Sequence, residues 1–270
     1  MSPFGYDGQR VVLTGAATGV GAATTRMLAD LGAEVHALDV ADVEGPIEHF
    51  YRCDVSDPAA IASVVAEIGA PIHKLFNIAG VPQTRPPEMV IGVNFLGLRE
   101  LTETVLPLMP AGGAVAHVAS IAGMGWPNRL DVVRELVETA DFAAGAQWVD
   151  AHLGEQGDPY FFSKECVVVY TMLRARPCWF DGRIRMNCVS PGPIESPMMP
   201  DFRTAMGSNT IDWTAAQSAG RLATPSEIAP ALVFVNADES SYVNGLNLVV
   251  DAAFGAASTM GQVDYAALTA

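Results

Sequence analysis

The sequence predicts an α/β fold in which one parallel sheet carries helices on both faces. Short apolar runs alternate with segments of helical periodicity through the N-terminal half of the chain. Parallel strands need crossover connections, and covering helices normally supply them. Half of the 270 residues are hydrophobic and 17% are charged, so the chain can bury the large core that a doubly wound sheet requires.

The N-terminal half supplies five of the predicted strands and three helices. A glycine-rich turn links the first strand to the first helix, and a second one leads from the long third helix into the fifth strand. The predicted strands are residues 10–13, 34–38, 49–53, 73–78 and 114–119. The predicted helices are residues 19–30, 58–68 and 88–108.

The C-terminal half continues this alternation after an insertion. The predicted elements there are a helix at 160–174, a strand at 184–189, a helix at 225–235 and a strand at 246–250. Residues between 125 and 159 fit no strand, but their apolar side chains recur at helical spacing and indicate two short amphipathic helices. We therefore expect a single domain over residues 1–270, with a helical insertion at about 127–158 and a C-terminal tail at 256–270.

Composition excludes several classes of function. Thirty acidic against 15 basic side chains give a net charge of −15, which argues against binding to nucleic acid or to anionic membranes. The longest apolar stretch, residues 111–126, is too short to span a bilayer, and no signal-peptide pattern is visible at the N-terminus. Four cysteines without a Cys-x-x-Cys spacing indicate reduced thiols of a cytoplasmic protein and no metal site.

Three glycines follow the first predicted strand, in the segment Thr14-Gly15-Ala16-Ala17-Thr18-Gly19-Val20-Gly21. Gly15 permits a tight turn, Gly19 lets a pyrophosphate approach the backbone, and Gly21 lets the helix pack on the sheet. Glycines of an ordinary turn are the alternative interpretation. The position of the segment between a strand and a helix favours a dinucleotide-binding loop.

Asp39 ends the second predicted strand, 18 residues after Gly21. A carboxylate at this place accepts hydrogen bonds from both ribose hydroxyls of an adenosine and repels a 2′-phosphate. The loop that follows adds Asp42 and Glu44 and has no basic residue before Arg52. The sequence therefore predicts NAD rather than NADP as the cofactor, a solvated acidic turn being the alternative.

Further motifs, in order along the chain, resemble those of the classical short-chain dehydrogenase/reductase family. Three residues separate the first two glycines of the loop, and Tyr160 and Lys164 form a Tyr-x-x-x-Lys motif. The resemblance covers residues 10–254 and departs from the family at Ala252 and Ala253, where the usual ending reads Val-Asp-Gly-Gly. The other matching segments are Cys53-Asp54-Val55, Asn77-Ile78-Ala79-Gly80, the helix residue Asn94, Ser120 after the fifth strand, and Pro191-Gly192-Pro193-Ile194-Glu195-Ser196-Pro197.

This resemblance implies a Rossmann-like fold, an oxidoreductase activity, and a symmetric homodimer or homotetramer. It also implies that Asp54 contacts the adenine amino group and that Ser196 contacts the nicotinamide carboxamide. The residues that it assigns to NAD binding are Gly15, Thr18, Gly19, Val20, Gly21, Asp39, Asp54, Val55, Asn77, Ala79, Gly80, Tyr160, Lys164, Pro191, Gly192, Ile194 and Ser196.

The expected catalytic residues are Asn94, Ser120, Tyr160 and Lys164. Residues four apart share one face of a helix, so Lys164 can lie beside Tyr160. A free phenol has a pKa near ~10, and we expect the Lys164 ammonium and the positive charge of oxidised nicotinamide to lower it. By resemblance, Tyr160 is the general base, Ser120 holds the substrate oxygen, and Asn94 places a water for a proton relay through Lys164. Taken singly, each residue also fits an ordinary helix or turn position.

The segment between Ser120 and Tyr160 is longer than in the usual family pattern, because 40 positions separate the two residues. A similar insertion is typical of the branch that contains 3α-hydroxysteroid dehydrogenase/carbonyl reductase and of coniferyl-alcohol-type dehydrogenases. The insertion either caps the substrate pocket, alters the oligomer interface, or only decorates the surface.

The loops expected around the substrate are rich in methionine and aromatic residues. Such side chains fit a bulky, apolar ligand, although they also fit the packing of a lid helix. The expected function is therefore NAD-dependent interconversion of a secondary alcohol and a ketone on a hydrophobic, steroid-like skeleton. An aryl or allylic alcohol dehydrogenase of the coniferyl-alcohol type and a non-catalytic dinucleotide sensor are the alternatives. The predicted pocket residues are Met124, Trp126, Met198, Met199 and Phe202.

Overall fold

Seven parallel strands form one sheet in the computed structural model, which describes residues 4–268. Their order is β3-β2-β1-β4-β5-β6-β7, so the strand order reverses between β1 and β4 and a crevice opens at the carboxyl ends of these two strands. This arrangement confirms the predicted doubly wound, Rossmann-like sheet. The strands are β1 (Arg10–Thr14), β2 (Glu34–Asp39), β3 (His49–Arg52), β4 (Lys74–Asn77), β5 (Ala114–Val118), β6 (Arg185–Pro191) and β7 (Asn247–Val250).

Helices cover both faces of the sheet and enclose two clusters of buried apolar side chains. One cluster lies between the sheet and helices α1 and α10, where Val11 meets Leu28 and Leu232. The other lies under α2, α4 and α7 and contains Val12 and Val167. The helices are α1 (Gly19–Asp30), α2 (Pro58–Ile68), α3 (Pro87–Ile91), α4 (Leu98–Val105), α5 (Leu130–Val137), α6 (Phe142–His152), α7 (Pro159–Gly182), α8 (Met199–Met206), α9 (Ser208–Gln217), α10 (Pro225–Asn236) and α11 (Phe254–Thr259). Within residues 4–268, no helix is both long and apolar enough to cross a bilayer.

Helix α7 starts at a well-defined point because local sequence signals agree. Asp158 caps it, since its carboxylate accepts hydrogen bonds from the backbone amides of Tyr160 (2.8 Å) and Phe161 (3.3 Å). Pro159 occupies the first helical position, where its missing amide hydrogen costs nothing. The cap fixes the start of the helix that carries Tyr160 and Lys164.

Two long helices differ from their predicted extents. The helix predicted at 88–108 contains a π-helical segment, Gly92–Gly97, between α3 and α4. A side chain at Gly97 would overlap the carbonyl oxygen of Val55, so the chain passes very close to its neighbour there. The predicted end of α7 at residue 174 was wrong: the helix continues through Pro177 to Gly182, because Cys178 on its inner face is still buried in the core.

The insertion contributes α5 and α6 and packs on the layer formed by α4 and α7. The buried guanidinium of Arg99 on α4 donates hydrogen bonds to the carbonyl oxygens of Leu136, Val137 and Thr139 at the end of α5. A cation at this place complements the negative end of the helix dipole. Trp148 on α6 stacks on Phe162 of α7, with ring centroids 5.7 Å apart. The insertion is therefore anchored to the helical layer by both polar and aromatic contacts.

A second arginine ties the insertion to α7. Arg129 donates to the carboxylate of Glu165 (3.0 Å) and to the backbone and side-chain oxygens of Gln156 (both 2.9 Å). Its guanidinium also lies 5.1 Å from the centre of the Phe162 ring. Arg129 and Gln156 lie near the two ends of the insertion, so these contacts hold both ends against the helix that bears Tyr160.

Candidate active site

The glycine loop is packed against the segment that follows β4. Gly15 has a φ of +71°, and a Cβ there would lie 2.8 Å from the Ala79 backbone. A Cβ on Gly21 would overlap the carbonyl oxygen of Gly15. Both positions therefore require glycine, which supports the roles predicted for them: the turn at Gly15 and the close helix packing at Gly21.

Thr14 joins these two segments and was not among the predicted site residues. Its hydroxyl accepts hydrogen bonds from the backbone amides of Ile78 (3.0 Å) and Ala79 (3.1 Å). The feature of the sequence that points to this role is the position of Thr14, directly before Gly15 and at the end of a buried strand. Thr14 thus sets the distance between the glycine loop and the Ala79 backbone.

The side chain of Asn77 links β4 to α4 and β5. Its side-chain nitrogen lies 2.9 Å from the Thr102 hydroxyl and 3.1 Å from Nδ1 of His117, and the residue is buried. The side chain therefore stays inside the helical layer, and only the backbone of Asn77 approaches the crevice.

Asp39 lies beside the glycine loop at the carboxyl end of β2. One carboxylate oxygen accepts a hydrogen bond from the amide of Ala17 in the loop (2.9 Å), and the other accepts from the amide of Ala41 (2.9 Å). The half-buried carboxylate is held in place and keeps unused acceptor capacity on both oxygens. Asp54 lies near the end of the neighbouring strand β3, where it is exposed and accepts from the amide and hydroxyl of Ser56. Val55, beside it, is buried.

Tyr160, Lys164 and Ser120 come together above the carboxyl end of β5. Ser120 caps the 3₁₀ turn Ile121–Asn128, and its hydroxyl lies within hydrogen-bonding reach of the Tyr160 phenol. The Lys164 ammonium is 5.6 Å from the centre of the Tyr160 ring and donates to the carbonyl oxygen of Val118 (2.9 Å). The structure thus brings together three of the four residues expected to be catalytic, which lie far apart in the sequence.

Burial dominates the electrostatics of this cluster. It raises the pKa of Tyr160 to about 12, while the hydrogen bond from Ser120 opposes that shift. Burial also lowers the pKa of Lys164 to about 8. In the cofactor-free protein the Lys164 ammonium donates to Val118 and is not among the groups that lower the pKa of Tyr160, so its expected effect on the phenolate beside oxidised nicotinamide remains a prediction.

Asn94, the fourth residue, holds the loop after β4 in place. Its side-chain oxygen accepts from the amide of Val81 (2.8 Å), and its nitrogen donates to the carbonyl of Val81 (3.0 Å). A Cβ on Gly80 would lie 3.3 Å from the Asn94 oxygen and 3.9 Å from the Lys164 nitrogen. Gly80 therefore lies between Asn94 and Lys164, and the predicted water relay remains a prediction.

The remaining residues expected to bind cofactor line the other side of the crevice. Pro191 ends β6, and Gly192 follows against Asp251, which lies 3.2 Å from the position of its Cβ. Ile194 bridges to Ala223, and the Ser196 side chain lies 3.8 Å from where a Cβ of Gly19 would stand. The loop after β6 thus faces the glycine loop.

Helix α8 forms the side of the crevice next to the catalytic cluster. The Phe202 ring meets the Tyr160 ring edge to face, with centroids 5.0 Å apart. The Thr84 hydroxyl donates to Asp201 (2.7 Å) and so ties α8 to the loop after β4. Met198 is half-buried in the turn before the helix, and Met199 is buried.

The other two predicted pocket residues contact other parts of the fold. Trp126 packs against the core under α7. Met124 is 39% exposed, and its sulfur is 4.0 Å from the side-chain nitrogen of Asn247 on the edge strand β7. Of the predicted pocket residues, the structure therefore places Phe202 in direct contact with the tyrosine.

The crevice fits a nicotinamide dinucleotide. Helix α1 begins at Gly19, its first turn carries no acidic side chain, and no side chain caps its amides. Free amides at a helix N-terminus bind pyrophosphate. Because Gly15 and Gly21 carry no side chains and pack closely, backbone atoms line the surface in front of these amides. The Asp39 carboxylate stands at the position from which a ribose is held.

Comparisons with known proteins agree with this geometry. A family model described as short chain dehydrogenase matches residues 9–130, and one described as Enoyl-(Acyl carrier protein) reductase matches residues 151–254. A coniferyl-alcohol dehydrogenase from Pseudomonas sp. strain HR199 is 35% identical over 251 residues, covering 93% of this chain and 97% of that protein. The 3-alpha-hydroxysteroid dehydrogenase/carbonyl reductase of Comamonas testosteroni is 32% identical over 257 residues, covering 89% of this chain and 94% of that protein.

A solved structure extends the likeness to three dimensions. The 3-alpha-hydroxysteroid dehydrogenase from Pseudomonas sp. B-0831, complexed with NADH, superposes with a TM-score of 0.76 at 26% identity. The match covers 95% of this chain and 100% of the other. The two proteins therefore share the fold, a parallel sheet with flanking helices.

Proposed function

The chain belongs to the short-chain dehydrogenase/reductase family, and from that premise we propose that it is an NAD-dependent dehydrogenase of hydrophobic alcohols. It is an oxidoreductase whose fold binds a nicotinamide dinucleotide. The observation that carries the proposal is the cluster of Ser120, Tyr160 and Lys164 at the carboxyl end of the sheet, where Phe202 covers one side of the tyrosine.

The chain's own residues supply the proton chemistry of this reaction. A nicotinamide dinucleotide bound in the crevice would supply the hydride chemistry at the carbinol carbon. Tyr160 removes the hydroxyl proton during oxidation and returns it during reduction. Ser120 donates a hydrogen bond to the same substrate oxygen, which fixes the alcohol against the phenol. Lys164 keeps its ammonium within 5.6 Å of the Tyr160 ring and favours the phenolate once a proton has been taken.

Asp39 supports the choice of NAD over NADP. Its carboxylate is fixed beside the glycine loop by the amides of Ala17 and Ala41, so it cannot swing away from a 2′-phosphate without losing both hydrogen bonds. Neither Asp42 nor Glu44 offers a positive charge to compensate. Arg52, opposite Asp39 on β3, is already engaged by the Val40 carbonyl and the Asp42 carboxylate. A phosphate at that place therefore meets the Asp39 carboxylate without a free positive charge.

Replacement of Asp39 by alanine should narrow the preference for NAD over NADP by about 10-fold or more, because it removes both the ribose acceptor and the repulsion. The measurement is kcat/KM with each cofactor at saturating alcohol. Glu44→Ala is the matched control, since Glu44 is an exposed acidic residue of the same loop, whereas Asp42 holds Arg52 and is left in place. Equal use of both cofactors by the parent enzyme would contradict the role given to Asp39.

We propose as the first substrate class a secondary alcohol on a steroid-like skeleton. Support comes from the apolar side chains of α8 next to Tyr160 and from two similar proteins, one of them solved, that are described as 3-alpha-hydroxysteroid dehydrogenases. A second class, an aryl or allylic primary alcohol, is favoured by the 35% identity to a coniferyl-alcohol dehydrogenase. The edge-to-face contact of Phe202 and Tyr160 also suits a flat ring beside the phenol.

A screen of steroid, terpenoid and aryl alcohols, followed by NADH absorbance, should separate the two classes. We expect the preferred class to exceed the other by about 100-fold in kcat/KM, since an apolar pocket discriminates by shape and burial. Phe202→Ala should reduce the turnover of a flat aryl alcohol more than that of a steroid. Turnover of small polar alcohols alone would refute the proposal of a hydrophobic substrate.

A further inference from the structure

A group of two histidines and one glutamate lies on the edge strand β3 and its neighbour β2, at the far side of the sheet from Tyr160. Glu34 and His36 are two apart on β2 and face the same way, and His49 is directly opposite His36 in the parallel register. The side chains offer one nitrogen or oxygen each, and these three atoms lie within 4.8 Å of one another. We call Glu34, His36 and His49 the edge cluster.

The edge cluster already has most of the geometry that a metal ion needs. Imidazole nitrogen and carboxylate oxygen bind zinc at about 2 Å, which puts neighbouring ligands of a tetrahedral site about 3.3 Å apart. In the structure, Nε2 of His36 and Oε1 of Glu34 are 2.9 Å apart, and the rings of His36 and His49 have centroids 4.8 Å apart. Side-chain movements on the order of 1 Å therefore bring the three atoms onto one ion.

Tyr51 holds His36 in a suitable orientation. Nδ1 of His36 lies 3.1 Å from the Tyr51 hydroxyl, which stands two residues beyond His49 on β3. Without metal, Nε2 carries the ring proton and donates a hydrogen bond to the Glu34 carboxylate, which can only accept. Metal binding at Nε2 requires that proton to leave and Nδ1 to carry one, so that Nδ1 donates a hydrogen bond to the Tyr51 oxygen and the Nε2 lone pair is directed towards the ion. A hydrogen bond from the second ring nitrogen is the usual way in which proteins orient a metal-binding histidine.

Access and charge also suit a cation. His36 is only 3% exposed and is rigid, whereas His49 is exposed and Glu34 half-buried, so an ion can enter from solvent. Zinc and related ions take such mixed imidazole and carboxylate ligands, while Mg²⁺ and Ca²⁺ prefer sites made of oxygen alone. The net charge of −15 on the chain attracts cations in general.

We propose that Glu34, His36 and His49 bind a divalent transition-metal ion of the zinc class and that the ion clamps β3 to β2. The spacing of the four cysteines predicts no metal site, but this site uses histidine and glutamate instead. Thirteen positions separate His36 from His49, and only the strand register places them side by side. The metal would complete its coordination with water, as open sites with three protein ligands do.

Arg10 allows a second, independent test of the metal site. Its Nε donates to the same Glu34 oxygen that faces His36, at 3.2 Å, so the guanidinium competes with an incoming cation for this carboxylate. Arg10→Gln should therefore tighten metal binding, whereas a loss of ligand should weaken it. A purely structural hydrogen-bond network has no reason to respond in opposite directions.

The test is calorimetric titration of Zn²⁺ into the full, tag-free chain after treatment with a chelator. We expect one saturable site per chain, weakened about 10-fold or more by His49→Gln and tightened by Arg10→Gln. His152→Gln is the matched control, because His152 is an exposed histidine on α6 that bonds to the carbonyl of Trp148. Unchanged affinity in His49→Gln, or an equal loss in His152→Gln, would overturn the proposal.

A spectroscopic readout covers the case in which a variant is less stable. The electron paramagnetic resonance spectrum of bound Cu²⁺ should show coupling to two nitrogen ligands in the parent and to one in His49→Gln. Melting temperature should rise with added Zn²⁺ in the parent and in His152→Gln, but not in His49→Gln. Absence of nitrogen coupling in the parent would show that the edge cluster is only a hydrogen-bond network.

Discussion

Replacement of Tyr160 by phenylalanine should lower kcat for alcohol oxidation by about 1,000-fold, since general-base catalysis supplies a factor of that order. The phenol is the one acidic group held beside Ser120, and its ring stays in place through the contact with Phe202. Phenylalanine keeps that packing and loses only the hydroxyl. NADH binding, measured by fluorescence titration, should change by less than about 3-fold, because the glycine loop and Asp39 are untouched.

The pH dependence of the parent enzyme checks the same role. Burial raises the pKa of Tyr160 to about 12 in the protein without cofactor, so the base form is scarce at neutral pH. The kcat/KM for oxidation should therefore rise with pH through the alkaline range. For ketone reduction the phenol must be protonated, so that rate should stay flat over the same range and fall only as the phenol ionises.

An exposed tyrosine provides the matched control. Tyr242 lies fully exposed in the loop before β7, and Tyr242→Phe removes the same hydroxyl without approaching the site. It should keep parental activity and the parental pH profile. A Tyr160→Phe enzyme that still turned over at more than about a tenth of the parental rate would show that another group removes the proton.

The fold was largely readable from the sequence because local signals agree with the tertiary structure. Helix α1 and helix α2 begin and end as predicted, since one starts in the glycine loop and the other has Asp57 as its cap and Pro58 in first position. The π-helical segment Gly92–Gly97 was not predictable from periodicity. It depends on the contact of Gly97 with Val55, which is far from it in sequence. The helices α8 and α9 were not among the predicted elements either: Met198, Met199 and Phe202 were assigned to a loop around the substrate, with a lid helix as the alternative, and the structure has a helix at Met199–Met206.

The site shows the same division between local and long-range information. Gly15, Gly21 and Asp39 were identified because all three lie in one short stretch of sequence, the unit formed by β1, α1 and β2. The state of Lys164 was not, because its pKa depends on burial in the folded protein, which the sequence pattern does not give. Ala252 and Ala253 are a further case: both adopt positive φ, of 51° and 70°, at the two positions where the family ending that this segment resembles reads Gly-Gly.

Lys164→Met should abolish most activity and at the same time increase the stability of the cofactor-free protein. Lys164 is 4% exposed, donates one hydrogen bond, to the Val118 carbonyl, and makes no ion pair with a carboxylate within residues 4–268. The shift of its pKa from 10.5 to about 8 corresponds to about 3 kcal/mol of unfavourable free energy for the charged form at pH 7. Loss of the hydrogen bond to Val118 offsets about 1–2 kcal/mol, so a net gain on the order of 1 kcal/mol is expected.

The sign of the pH dependence makes this result specific to Lys164. Between about pH 8 and 10.5 the unfolded lysine still holds a proton that the folded one has lost, so parental stability gains from this group as pH rises through that window. Below pH 8 both states are protonated, and the cost is present in full. The difference in unfolding free energy between Lys164→Met and the parent, from urea titrations without dinucleotide, should therefore be largest at neutral pH and shrink towards pH 10.

Lys74 is the matched control, since it is the other lysine of the chain and is equally buried. It lies at the amino end of β4, away from the crevice, and its ammonium pairs with Asp238 at 2.6 Å. Burial lowers the pKa of Lys74 as well, but the hydrogen bond and the charge of Asp238 oppose that shift, so Lys74→Met should raise the stability less than Lys164→Met does and should leave kcat unchanged. If both substitutions changed the stability alike, the Lys164 ammonium would have an unrecognised anionic partner. If Lys164→Met kept its activity, the ammonium would have no part in holding the phenolate of Tyr160.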